Sequence, residues 1–278
     1  PSGHTKHAVS SLGGSKVLLF GGIFDLDFCQ SAWIFDKKTS QWMKVDTSSS
    51  PSLRKNFAMS LLVESHNVIL FGGKMGYKDN LNDTWIFNQS INSWIEIYPI
   101  FSPSARYGYA MASIGNSSKS IIFGGSNDIN SFKDTWIFDE SKKDWKEINT
   151  PSSPSSRYFH AMASIGDMEK VILFGGWTGD TAGDTWIFDF GTSNWTEIGT
   201  WIKNDPNNLL VPSPRSQHAM ASMGKTAIMY GGYDGNNAWF DDTWLFHGES
   251  SNTWKWTQLS TQMSERSYHA MATITTGV

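Results

Sequence analysis

A lone cysteine, Cys29, leaves this chain no internal disulfide framework and no cysteine-rich zinc site. Charge is scarce as well. Only 17% of the residues are charged, below the quarter usual for globular domains, and the formal net charge is −4. A chain so short of basic residues cannot neutralise a run of phosphates, so no nucleic-acid partner is expected. No apolar run is long enough for a membrane-spanning helix, so no membrane insertion is expected, and the first residues do not read as a signal peptide. Pro1 is not an initiator, and the chain is read as mature or trimmed. Neither a phosphate-binding loop nor a Ser-His-Asp signature is found. What the chain does have is 25 Gly and 14 Trp in 278 residues, the composition of short strands and turns.

These residues recur in order. Glycine pairs stand at Gly21-Gly22, Gly72-Gly73, Gly124-Gly125, Gly175-Gly176 and Gly231-Gly232, at spacings of 51, 52, 51 and 56 residues. A period near 50 marks an array of small units. Each unit reads as four strands, a to d. The a strand carries small alternating residues, as in His160–Ile165, and the b strand is a short apolar run ending in the glycines, as in Val171–Phe174. The c strand opens on tryptophan at Trp33, Trp85, Trp136, Trp186 and Trp244, and the d strand holds Trp42, Trp94, Trp145, Trp195 and Trp256. A four-stranded sheet cannot cover both its own faces, so neighbours must stack, with Trp and Phe filling the space between them.

The five Gly-Gly pairs, each followed by Trp-Ile/Leu-Phe and the d-strand Trp, resemble the kelch repeat over the whole chain. The resemblance implies an all-β propeller of four-stranded antiparallel blades, one domain spanning 1–278 with units at about 4–50, 51–102, 103–153, 154–211 and 212–262. Kelch units often place Tyr seven residues before the second Trp. Here Phe35, Phe87, Phe138 and Phe188 hold that place and Phe246 its counterpart, which keeps the ring and gives up a hydroxyl. A sixth a-type segment, 266–276, has no b, c or d strands after it. It is expected to be an extra inner strand of a six-bladed parent, the alternative being five blades with one a strand to spare.

Antiparallel order puts the d–a and b–c loops on one face, where the longer and more varied loops are expected to bind. An arginine precedes the a strands at Arg54, Arg106, Arg157, Arg215 and Arg266, and an aspartate precedes the c strands at Asp83, Asp134, Asp184 and Asp242. Unit one has lost both, with His4 and Ser31 in their places, which suggests that they pair as ties between loops. The other reading is an arginine ring that grips an acidic peptide. The tryptophans outside the cassette include Trp177, Trp201 and Trp239, which with Tyr233 fall in loops of this face on units four and five. They form either a self-buried cluster or an aromatic platform.

His7, His160, His218 and His269 share one a-strand slot, but Phe57 and Tyr109 fill it too, so it asks for a flat ring rather than a metal ligand. The Glu-xxx-Asp-xxx-His run of iron-type specifier proteins is not found. No cofactor, metal or catalytic residue is expected. The reading is a non-catalytic binding module. Its expected partner is a protein on the d–a and b–c face, with a glycan on the aromatic cluster as the alternative and a metal-dependent enzyme as the remoter one. Many Trp and Thr with one Cys favour a secreted or surface setting over a cytosolic one.

Overall fold

The computed structural model describes residues 5–24, 27–47, 49–166, 169–200, 211–249, 253–260 and 263–274. Five four-stranded antiparallel sheets stand around one axis, each laid down in chain order a, b, c, d from the inside out. The first is Ala8–Ser11, Lys16–Phe20, Ala32–Asp36 and Gln41–Val45. The second is Ala58–Leu62, Asn67–Met75, Asp79–Asn88 and Ser93–Ile97. The third is Ala110–Ser113, Lys119–Phe123, Thr135–Asp139 and Asp144–Ile148. The fourth is Ala161–Ser164, Lys170–Phe174, Asp184–Asp189 and Asn194–Thr200. The fifth is Ala219–Met223, Thr226–Tyr230, Thr243–Glu249 and Thr253–Leu259. A small hairpin, Ile23–Phe24 with Asp27–Phe28, sits in the first b–c loop. The described residues contain no helix, and the all-β propeller follows.

The b strands are apolar on both sides, as befits the second, third and fourth sheets, each of which lies between two others. Val68 to Phe71 and Val171 to Phe174 have no exposed surface. The d-strand tryptophan wedges adjacent sheets together. Trp94 packs on Phe20 of the sheet before it, Trp145 on Phe71, Trp195 on Phe123 and Trp256 on Phe174, at centroid distances of 5.1–5.3 Å. The phenyl that replaces the expected Tyr packs on the same indole from its own sheet, as Phe138 does on Trp145 at 5.2 Å.

Each indole N–H also reaches across. Trp145, Trp195 and Trp256 Nε1 donate to the hydroxyls of Thr84, Thr135 and Thr185 on the preceding sheet, at 2.9–3.1 Å. In the first sheet that position is Ala32, and the buried Trp94 Nε1 has no acceptor. Ala32→Thr supplies one and is expected to stabilise the protein by about 1 kcal/mol in urea unfolding. A destabilised variant would show that the buried methyl has no room.

The paired glycines are where backbones of neighbouring sheets meet. Gly175 and Gly176 have φ of 63° and 102°. A Cβ on Gly175 would lie 2.5 Å from the carbonyl oxygen of Arg215, and one on Gly176 would lie 2.7 Å from Cβ of His160. Gly176 N–H donates to that Arg215 carbonyl at 2.9 Å.

The axis is closed by a ring of six hydrogen bonds. Asn56 N–H donates to Lys6 C=O, Gly108 to Asn56, Phe159 to Gly108, Gln217 to Phe159, Tyr268 to Gln217, and Lys6 to Tyr268. All six residues are left-handed, with φ between 54° and 66°. Six inner segments therefore surround the axis, although only five sheets do. The sixth lies where the sequence puts an extra inner strand, but its described part forms no strand, because no b strand lies beside it.

Candidate functional site

The d–a and b–c loops do share a face. The residue after each arginine pairs with the residue after each glycine pair, as in Lys55 with Lys74, Tyr107 with Ser126, Tyr158 with Trp177 and Ser216 with Tyr233. The face is thus built on extensions of the two innermost strands.

The arginines sit beneath that face. Arg54, Arg106, Arg157 and Arg215 are at most 1% exposed. Each is clamped by its own segment: Arg157 Nε donates to the Ser155 carbonyl and Nη2 to Ser155 Oγ. The fork then takes Asp184 through two bonds of 2.6 Å, while Nη1 also donates to the Gly175 carbonyl. Trp186 Nε1 donates to the same aspartate at 2.6 Å. Arg54 with Asp83, Arg106 with Asp134 and Arg215 with Asp242 repeat the arrangement. Burial alone would raise the Asp184 carboxyl pKa; Arg157 and Trp186 outweigh it and lower the pKa. These four guanidiniums are spent on internal ties. Arg266 differs, being exposed; it donates to Ser264 Oγ and the Ser264 carbonyl and lies 5.7 Å over the Tyr230 ring, and among the described residues it has no carboxylate partner. The serine two residues before each arginine (Ser52, Ser104, Ser155, Ser213 and Ser264) was the sequence signal for this clamp, and it went unread.

At the channel mouth the face shows aromatics and ammonium groups. Lys6 Nζ lies 4.6 Å over the Tyr268 ring, Lys74 4.8 Å over Tyr107, and Lys55 5.1 Å over Tyr77. Phe159 meets Tyr158 at 5.0 Å and Tyr268 at 5.5 Å, edge to face. Partial burial lowers the Lys55 pKa, and the charges of Lys6 and Lys74 lower it further. Asp128 accepts from Lys74 and Tyr107, and burial with that contact pushes the Tyr107 phenol up to about 12. A cavity of about 140 Å³ opens here among Lys6, Asn56, Phe159, Gln217 and Tyr268. Sequence reading missed this cluster. Its one visible sign is that the two residues after each arginine vary freely inside an otherwise repetitive cassette: Lys-Asn, Tyr-Gly, Tyr-Phe, Ser-Gln, Ser-Tyr.

Trp177 and Trp239 occupy the b–c loops of sheets four and five. Tyr233 and Trp239 lie 5.5 Å apart and inclined by 40°, and Trp239 is 46% exposed. Trp177 is half-buried beside Gly235 of the next loop, where Thr181 Oγ1 donates to the Asp234 carbonyl. The structure thus brings Trp177, Tyr233 and Trp239 onto adjacent loops. Trp201 lies outside the described residues. Trp254 stacks on Phe246 at 5.5 Å and 8°.

The histidine slot lies between sheets. His160 packs edge-on against Phe123 of the sheet before it, His218 against Phe174, and His269 against Tyr230. Tyr109 in the same slot donates its hydroxyl to the Phe71 carbonyl and accepts from Ala58 N–H. Burial drives the His160 pKa down to about 3 and His269 to about 4, and it holds His218 well below the usual imidazole range. Arg157, Arg266 and Arg215 act in the same direction, while the carbonyls of Phe123, Tyr230 and Phe174 oppose it. Among the described residues no three His, Cys, Asp or Glu side chains converge as metal ligands would.

Residues 3–208 match the family described as the KLHDC2/KLHL20/DRC7 Kelch-repeats domain. The chain belongs to the kelch-repeat family. It is similar to Kelch domain-containing protein 10 of Xenopus laevis, 27% identical over 262 residues, covering 90% of this chain and 61% of that protein. It is also similar to an F-box/kelch-repeat protein of Arabidopsis thaliana, 29% identical over 261 residues, covering 89% of this chain and 52% of that protein. An N-(sulfonatooxy)prop-2-enimidothioate sulfolyase of Thlaspi arvense is 29% identical over 143 residues, 49% of this chain and 40% of that enzyme. The chain thus spans about half to three-fifths of the first two relatives.

Proposed function

We propose that this kelch propeller is a non-catalytic binding module whose d–a and b–c face engages another protein. The observation that carries the reading is the channel mouth, where Tyr107, Tyr158, Phe159 and Tyr268 crowd together beside Lys6, Lys55 and Lys74. Aromatic rings held by one another give contact area at small entropic cost, and the neighbouring ammonium groups favour a segment bearing carboxylates. Kelch domains commonly serve as interaction modules, and the F-box/kelch relative agrees with that use.

The test is quantitative affinity purification with wild-type protein and a Lys55→Glu, Tyr158→Ala variant, with circular dichroism to show that both are folded. Partners of this face are expected to fall about 30-fold or more, the effect of losing a hot spot of about 2 kcal/mol. A folded variant that keeps every partner would move the interface elsewhere.

A second reading rests on the exposed Tyr233–Trp239 pair, with Trp177 beside it, as a platform for a sugar ring. On a glycan array it predicts binding that Trp239→Ala abolishes.

We also propose that the parent ring is six-bladed, on the strength of the six-membered hydrogen-bond ring around five sheets.

A further inference from the structure

The axis carries a second cavity, of about 360 Å³, which opens among the a–b turns on the face opposite the proposed protein interface. The six inner segments form its wall, and the repeat turns that wall into rings. Two residues after the histidine slot stand Val9, Met59, Met111, Met162, Met220 and Met271, and all six line the cavity. Two residues further on, about 7 Å nearer the mouth, stand Ser11, Leu61, Ser113, Ser164, Ser222 and Thr273. Gly13, Gly115, Gly166 and Gly224 follow at the rim, where they add no side chain to the opening.

These rings are chemically selective. Among the described residues no Asp, Glu, Lys or Arg lines the cavity, and His66, exposed at the rim, is its one ionisable side chain. A charge brought down to the methionines would lose its water and meet no counter-ion. Water is poorly served there too, because thioethers and methyl groups offer it few hydrogen bonds, so an apolar group gains by displacing it. Methionine has flexible bonds and a polarisable sulfur, so a ring of five adapts to guests of irregular outline. The hydroxyls nearer the mouth are not saturated. Ser60 Oγ lies 3.3 Å from Ser113 Oγ, and Ser164 Oγ donates to the Gly166 carbonyl at 3.4 Å. A hydroxyl has one proton and two lone pairs, so a single bond leaves capacity for a ligand. The rings are also lopsided. Val9 and Leu61 stand on adjacent sheets and make that side apolar from floor to mouth, whereas Ser113, Ser164, Ser222 and Thr273 make the other side polar at the mouth.

We propose that this cavity is a binding site for a small uncharged molecule with an apolar body and a hydroxyl at one end, the body seated among the methionines and the hydroxyl on the serine ring. The volume is that of an ordinary small-molecule pocket. The site lies apart from the face read as a protein interface, so the two stand or fall separately.

The probes are 1-octanol, octanoate and octylammonium, which share a chain and differ in charge. Titrations follow the methionine methyl signals of the full chain by NMR, assigned with single Met→Leu variants. 1-Octanol is expected to shift the signals of Met59, Met111, Met162, Met220 and Met271 along one saturating curve and to leave the exposed Met43 and Met223 in place. Each ion is expected to bind about tenfold or more weakly than the alcohol. Ser222→Phe narrows the mouth and, in a protein shown folded by circular dichroism, weakens 1-octanol about tenfold or more. Ser164→Asp supplies the missing counter-ion, so it weakens 1-octanol and tightens octylammonium, each about tenfold. If the five methionines do not shift, or if either ion matches 1-octanol on the wild-type protein, the proposal is overturned. If Ser222→Phe does not fold, Ser164→Asp decides, and an unchanged preference between alcohol and ammonium overturns the proposal. The Lys55→Glu, Tyr158→Ala variant keeps 1-octanol binding whatever becomes of the protein interface; loss of binding there would place the alcohol on the other face and overturn the proposal.

Discussion

Arg157→Ala is expected to destabilise the propeller by about 3–5 kcal/mol, the usual consequence of deleting one partner of a buried ion pair. The loss exceeds a charge pair. The variant takes the guanidinium fork from the Asp184 carboxylate, to which Trp186 Nε1 still donates, and strands the Gly175 carbonyl and both acceptors of Ser155. Exchanging the charges, with Arg157→Asp and Asp184→Arg, will not restore stability. The new arginine would face the Trp186 N–H, donor against donor, and the new aspartate would face two carbonyls. Equilibrium urea unfolding of the three proteins tests this. A single variant within 1 kcal/mol of wild type would mean that the pair holds little.

Acidification is the second large effect. His160, His218 and His269 are neutral in the folded state, with His160 down at about 3 and His269 at about 4, whereas an unfolded histidine titrates near 6.5. Below pH 6.5 the unfolded chain therefore binds protons that the folded one refuses. Stability is complete above that pH and is lost as pH falls toward the folded values. At pH 5 the loss is about 2 kcal/mol each for His160 and His269, or about 4 kcal/mol for the two, and His218 adds to it in the same direction, a large part of what a domain of this kind has. Asp184 and Asp242 have pKa values lowered beneath 3.8, so their share is lost only as pH falls below about 3.8, under the pH 5 at which the histidines are tested. The check is the urea midpoint at pH 7 and pH 5, in wild type and in a His160→Phe, His218→Phe, His269→Phe variant. Phe57 already fills this slot in the second sheet, so the triple variant should fold and lose most of the pH dependence. An equally steep dependence in the variant would place the titrating groups elsewhere.

The propeller was legible because its fasteners are local and repeated. Gly175-Gly176, Trp186 and Trp195 recur at fixed spacing because every sheet has to meet its neighbour in the same way. The Arg–Asp tie was legible for a related reason: the first unit lost both members together, at His4 and Ser31. What could not be read was whatever depends on closing the ring. The bond from Trp145 to Thr84 joins different sheets across 61 residues, and nothing local announces it. Tyr268 and Lys6 lie at opposite ends of the sequence and meet only because the sixth segment returns beside the first. The arginines also show how position in a loop differs from exposure on a face. Their spacing put them on the right rim, and only the clamp geometry shows that four of them point inward.

The six residues that close the axis carry their side chains on left-handed backbone, and that limits the vocabulary of the mouth. Branching at Cβ is strongly disfavoured in such a conformation, so Val, Ile and Thr are effectively barred from those six places, while Gly, Asn, Lys, Gln and aromatic residues are admitted. Any attempt to retune what this disc recognises has to be spelled in that restricted alphabet, or moved outward to the hairpins, where the full one is available.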